Sequence, residues 1–282
     1  LNGGAAGGAQ NGNVAGMTTW TFAPDSYPQL IARNADGSPA ATMQKASDWG
    51  QVGGWVEDFC TATDAGETAG FRPNLSTNNG TAADKPITLT TPEALAWYAY
   101  KLNTAPTDVI SGTTTYANAH VKLSAPSGAI DLTGEPYGGS FDASAATAKD
   151  KHRNVVGWVP MGTRGNPFAG TFTAKGTDIE RFHIPGRNNP GLFECGSNAT
   201  LSDVTIASGY FNHTGGVAGG SLMAYATGDV TMTDCRNAAE GHGAGSGAYL
   251  GGLMGRSQGG SVTMSRCMNQ GDLQTENNNA AG

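Results

Sequence analysis

Residues 251–267 read GGLMGRSQGGSVTMSRC. The stretch runs from a glycine pair through two apolar residues and a polar, glycine-rich turn into alternating apolar and polar positions that end on a cysteine. Such a segment serves either as a ligand-holding loop or as one corner of a repeated scaffold, because glycine admits positive φ and close backbone approach. Sliding it back along the chain decides between the two. Leu253-Met254 corresponds to Leu222-Met223, 31 residues earlier, and to Leu192-Phe193, a further 30 back. SVTMSRC matches DVTMTDC, which aligns Met264 with Met232 and Cys267 with Cys235 at a spacing of 32. TLSDVTI places Leu201 and Val204 another 31 residues upstream, and TDIERFHI offers Ile179 and Phe182 at a shorter distance of 22.

The expected apolar columns are therefore Ile179–Leu201–Met232–Met264 and Phe182–Val204–Cys235–Cys267. A unit of about 30 residues with short strands and glycine corners cannot bury its apolar side alone and must stack on copies of itself. The fold class this predicts is all-β: a parallel β-helix, or solenoid, with interior side-chain ladders. Equivalent residues of stacked coils would lie about 4.8 Å apart.

Composition agrees. Glycine fills 43 of 282 positions and charged residues only 14%, where about 7% and 25% are usual. The abundance of Gly, Thr, Ser and Asn disfavours helices and suits short strands joined by frequent turns. A net charge of −7 argues against nucleic acid as partner, since a binder clusters Lys and Arg to displace counterions. No apolar run approaches the roughly 18 residues that span a bilayer. The four cysteines, Cys60, Cys195, Cys235 and Cys267, form no CxxC pair, which argues against zinc and thioredoxin-like chemistry. The column partners Cys235 and Cys267 are read as free thiols acting as small buried apolar residues, because in-register neighbours set their Cβ atoms side by side in poor disulfide geometry.

One helix is expected, at about 91–103. Thr91 is its N-cap, Pro92 its first residue and Glu93 lies in the first turn. Leu95, Tyr98, Ala99 and Leu102 then fall on one face. Ahead of the strand-rich part of the chain, it is placed to cap the first coil of the solenoid.

The order ITLTTPEALAWYAYKLN, AIDLTG, WVPMGTRGNPFAGTF, ERFHI, GLFECG and GGLMG resembles the GLUG-repeat family of bacterial and archaeal surface proteins, over roughly residues 87–270. The resemblance implies a right-handed parallel β-helix in a secreted or cell-surface, adhesin-like protein. Two departures stand out: TAKGTD (173–178) replaces the family's Asp-Gly-Asn-Gly turn, and Ser221 intervenes between glycines and Leu222 in GGSLMAYATG. TTWTFAPDSYPQL (18–30) resembles the segment that closes the family's last coil, yet here it comes first. The chain, which starts at Leu1 without methionine, thus reads as the tail of one unit followed by most of the next. The expected organisation is a closing segment at 1–35, an insert or small subdomain with linker at 36–86, carrying Trp49, Trp55, Phe59, Cys60 and Phe71, and the β-helix at 87–282. The expected partners are copies of itself or adjacent repeats, stacked end to end, and an environmental glycan or protein.

No catalytic, metal or cofactor site is expected. Asp203 and Asp234 share a column and are the best carboxylate pair for the alternative, a polysaccharide lyase or glycosidase, which needs two facing acids. Arg181 and Arg266 in the same column point instead to a solvated face of mixed charge. His120, His152, His183, His213 and His242 show no ligand spacing, and Glu240-Gly-His242 reads as a solvated loop. GAGSGAY (243–249) and GHGAGSG (241–247) lack the strand–turn–helix context of a nucleophile elbow or phosphate loop. Trp97 and Trp158 are assigned to cap and core. Tyr225, Tyr249 and Trp55 are candidates for a sugar-binding surface. Asn74, Asn79, Asn198 and Asn212 match the glycosylation acceptor pattern.

Overall fold

A computed structural model describes residues 18–21, 29–32, 73–132, 158–215, 218–243 and 249–275. The chain divides into two units, Leu1–Asp64 and Ala65–Gly282. In the first, Thr18–Thr21 pairs antiparallel with Gln29–Ala32; Trp49, Trp55, Phe59 and Cys60 lie outside the described residues, as do Phe71 and His152. The division falls at Asp64/Ala65, inside the segment 36–86 expected to be an insert or small subdomain with linker.

The second unit is a parallel β-solenoid of about five turns. Its coils follow one path, seen most simply from residue 199. Ala199–Ser202 joins a six-stranded sheet, Thr205–Ile206 a five-stranded sheet, and Gly209–His213 a four-stranded sheet. Ala218–Gly220 then leads into Met223–Ala226, the middle strand of a three-stranded sheet, before the chain returns to the first sheet at Val230. The six-stranded sheet runs from Ile87–Leu89 through His120–Leu123, Thr171–Thr173, Ala199–Ser202 and Val230–Thr233 to Val262–Ser265. Every neighbouring pair in it is parallel.

Inward residues form ladders along the stack. Leu201 pairs with Met232 and Met232 with Met264, as the repeat spacing requires. Val204, Cys235 and Cys267 also occupy equivalent positions. The Arg236 N–H donates to Val204 O and the Met268 N–H to Cys235 O, each at 2.9 Å. The thiols repeat one bond a coil apart: Cys235 Sγ donates to Leu201 O at 3.7 Å and Cys267 Sγ to Met232 O at 3.4 Å.

The earliest member of each expected column is corrected. Leu201 pairs upstream with Phe172, not Ile179. Ile179 belongs to the five-stranded sheet, between Ile130 and Ile206, and Phe182 pairs with Gly209 rather than Val204. Thr171–Thr173 and Asp178–Glu180 are successive strands of one coil, joined by the turn 174–177, where the next coil has only Asp203-Val204. The two extra residues made the wrong strand look equivalent. Arg181 is accordingly at a different corner from Asp203. That turn keeps tight geometry despite its unusual sequence: Thr177 N–H donates to Ala174 O at 2.8 Å, with Gly176 at φ +76°.

The glycines of the opening stretch are structural. A Cβ on Gly251 would sit 2.0 Å from Met254 O, and one on Gly255 2.6 Å from Gly219 O. Glycine lets the strand Tyr249–Gly251 double back against Met254–Ser257 at backbone contact. Ser221 is not an insertion: Gly220 pairs with Gly251 and Met223 with Met254, so Ser221 stands where the next coil has Gly252. It is fully buried and donates to Gly252 O at 2.6 Å.

The helix spans Pro92–Thr104, with Thr91 Oγ1 accepting from Ala94 N–H at 3.2 Å. Leu95, Tyr98, Ala99 and Leu102 are all buried, as is Trp97. The helix contacts Ile87–Leu89, the first strand of the long sheet. Tyr98 Oη donates to Tyr116 O at 2.6 Å, and Asn103 ties the helix end to Pro160 O and Gly162 N–H. Gly80 bonds to Lys85 and His120, so this part of the expected linker is tied to the first coils.

The two ends of the ladder differ. Ile87 and Leu89 are fully buried. At the other end Met264 is 43% exposed, while Met232, one coil inward in the same ladder, is 0% exposed. Among the described residues no strand pairs with the outer edge of Val262–Ser265.

Candidate functional surfaces

The surface richest in chemistry lies where the three-stranded sheet meets the strands Ala218–Gly220 and Tyr249–Gly251. Parallel pairing puts Cys195, Tyr225 and Arg256 in one column. It also sets Ala218 beside Tyr249. The Arg164 guanidinium covers the Tyr225 ring at 4.5 Å, and Arg256 covers Tyr249 at 4.7 Å. Gln258 Oε1 accepts from Arg164 Nη2 at 3.0 Å and from the Tyr225 hydroxyl. These contacts bury Tyr225 to 1% exposure and leave Tyr249 at 50%. Of the aromatics expected to line a sugar-binding surface, Tyr249 is exposed and Tyr225 packs against Cys195 and Ala218; Trp55 is outside the described residues. A guanidinium over an aromatic face gains about 0.5–1 kcal/mol at an exposed site, which biases these side chains toward the stacked arrangement. Beside them burial pushes the Glu194 carboxyl upward, opposed by the Asn189 amide, which donates to it at 3.3 Å, and by Arg164 and Arg187.

The carboxylate pair does not face across a cleft. Asp203, Asp234 and Arg266 share a positive φ of 53–56° at successive copies of one corner, a conformation Asp tolerates better than most residues. Arg266 grips Asp234 through Nε at 2.6 Å and Nη2 at 2.7 Å, and holds its carboxyl below the usual range. Arg181 makes the same two-pronged pair with Asp131, at 2.8 and 2.6 Å. Both are solvated ion pairs; Asp203, Asp234 and Arg266 share a column as expected, whereas Arg181 belongs to a different corner.

The histidines are placed differently from expectation. His183, His213 and His242 are buried, so Glu240-Gly-His242 is a strand segment rather than a solvated loop. In the four-stranded sheet His183, Tyr210 and Glu240 form one column and Asn212, His242 and Gln274 the next. His242 Nδ1 is 3.2 Å from Asn212 Oδ1. Repeat alignment carries the signal for this ladder, but hydropathy hides it because the residues are polar. No group of three or more His, Cys, Asp or Glu able to hold a metal occurs among the described residues. Sequence reading also missed Asn237, which is fully buried in the Ile179–Ile206 column. Its side chain bonds to both backbone groups of Ala239 at 3.0 Å and donates to Asn269 Oδ1 at 2.7 Å. Asn212 is buried and unsuited to carry a glycan, whereas Asn74 and Asn198 are exposed.

Cys195, Cys235 and Cys267 are free thiols. Burial pushes the Cys235 thiol from near 9 to about 12, with Cys267 adding a smaller upward push. Cys267 sits half-buried at the open end of the ladder. Iodoacetamide at mildly alkaline pH should therefore modify Cys267 in the folded protein well before Cys235, as peptide mapping would show; equal rates would contradict the ladder. The stability linkage has a definite sign. A thiol whose pKa is raised on folding stabilises the fold below its unfolded pKa and loses that contribution as pH climbs from about 9 toward about 12.

Fold and surface together define a parallel β-solenoid protein with an aromatic–guanidinium flank and, among the described residues, a last coil whose outer edge is unpaired. Comparison with protein-family models, with curated proteins and with solved structures finds no match.

Proposed function

We propose that this chain is a structural or adhesive module of a secreted or cell-surface protein, a stiff solenoid that projects loops and is extended end to end by further coils of the same kind. The observation that carries this reading is the terminal coil. Its inward Met264 is 43% exposed although it occupies the ladder position that Met232 fills, fully buried, one coil earlier. A parallel edge left unpaired among the described residues is a template for the addition of another strand. Heterologous addition that does not close produces filaments. The resemblance to GLUG-repeat surface proteins supports the same reading, and the extracellular placement rests on that resemblance alone.

Light scattering and negative-stain microscopy test it. The chain should associate with rising concentration into rods whose long axis follows the coil stack. Met264→Arg should shift association to at least about tenfold higher concentration, since a desolvated charge at a contact costs well over 1.4 kcal/mol. Circular dichroism of the variant should be unchanged. A wild-type chain that stays monomeric and forms no rods would refute the proposal.

A further inference from the structure

The outward side of the six-stranded sheet carries hydroxyls and nothing else over four consecutive coils. Parallel register places Thr171, Thr200, Thr231 and Thr263 in one column and Thr173, Ser202, Thr233 and Ser265 in a second. Each pair flanks an inward apolar residue: Phe172, Leu201, Met232 and Met264 in turn. All eight side chains are half-buried or exposed. Ser265 Oγ makes a long contact of 3.5 Å with Arg266; no side-chain hydrogen bond joins the other seven hydroxyls to any described residue. His120 and Lys122 occupy the same two columns one coil earlier and bound the array.

Strand propensity explains why threonine is welcome here, but it does not explain the uniformity. The five-stranded sheet of the same solenoid is an internal control. Its outward column reads Ala129, Asp178, Thr205, Arg236 and Met268, five different residues under the same backbone demands. The hydroxyl face also excludes charge in a chain with 23 acidic and 16 basic residues to place on its surface.

The spacing of the array is fixed by the backbone. Neighbouring coils set hydroxyls about 4.8 Å apart along the stack, and alternate residues set them about 6.6 Å apart along each strand. In-register stacking keeps such a sheet flatter than a freely twisting one. The result is a near-rectangular grid of donor–acceptor groups, six of the eight bearing a methyl group beside the oxygen. Its two repeats are of the same scale as the oxygen repeats on the prism face of hexagonal ice, slightly longer along the stack and somewhat shorter along the strand. A dissolved sugar or protein presents no such two-dimensional lattice.

We propose that this face binds ice, through Thr171, Thr173, Thr200, Ser202, Thr231, Thr233, Thr263 and Ser265. Each hydroxyl anchors a water, and the methyl groups cage the waters between them. The ordered layer then merges with a growing crystal. This goes beyond the structural role above and does not depend on end-to-end association.

The whole chain should be assayed for inhibition of ice recrystallisation and for partition into slowly grown ice. Wild type should slow recrystallisation and enter the ice. Thr200→Tyr and Thr231→Tyr place a good strand former at the centre of the grid, so the fold should survive, as a thermal melt would verify. Each should lower potency by about tenfold or more, the usual weight of central contacts. Arg236→Tyr, on the control sheet, should leave potency unchanged. The proposal fails if wild type behaves as an inert protein does, if Thr231→Tyr is as potent as wild type, or if the face binds crystalline cellulose or chitin but not ice.

Discussion

Gly251→Ala should cost at least about 3 kcal/mol, the upper range for forcing extra volume into a filled site. The added methyl would meet Met254 O at 2.0 Å and Met254 C at 2.9 Å. Both are backbone atoms, so no side-chain rotation relieves the clash and the two strands must separate. Separation also breaks the bonds Leu222 and Met223 make to Leu253 O, at 3.0 and 3.1 Å. Coils in a solenoid contact only their neighbours, so the damage should concentrate in the last coils. Hydrogen exchange should show loss of protection from about residue 249 onward, with the helix and first coils spared. Gly165→Ala is the matched control: nothing lies within 4 Å of the added carbon and φ is not positive, so stability should stay within about 1 kcal/mol of wild type. Equal effects from both substitutions would show that the glycine pair is not the structural corner described above.

Phe193→Ala should cost about 3–5 kcal/mol, the range for deleting a buried aromatic side chain. Phe193 is fully buried, stacks on Phe168 with ring centroids 4.8 Å apart, and meets Phe172 edge-on at 5.3 Å. Its backbone accepts Met161 as a bridge partner, and Trp158 Nε1 donates to the adjacent Leu192 O at 3.1 Å. The residue therefore joins the 158–168 segment to the repeating coils. Phe193→Met should cost far less, since Met223 already fills the equivalent position one coil on. Urea unfolding of the two variants measures the difference. A loss under 1 kcal/mol for Phe193→Ala would mean that this aromatic cluster is not a core.

The repeat spacing of the sequence sets the axis of this molecule. A period near 31 residues with apolar positions three apart leaves stacking as the way to bury Leu201, Met232 and their neighbours, and that much was legible without coordinates. The helix was equally legible, because capping and an apolar face are local properties. Three things needed the tertiary structure. Assignment of strands to sheets failed at Ile179 and Phe182, since two short strands of one coil share a pattern and a turn two residues longer shifts the count. Burial of polar residues was invisible to hydropathy: His242, Asn212 and Asn237 sit inside because each finds partners in adjacent coils, and such partners exist only once register is fixed. The hydroxyl grid was the third. Each T-x-T or T-x-S is unremarkable as a three-residue pattern, and only parallel pairing sets four of them side by side at a common spacing. Sequence determines which residues face out of a strand; the stack determines what those residues make together.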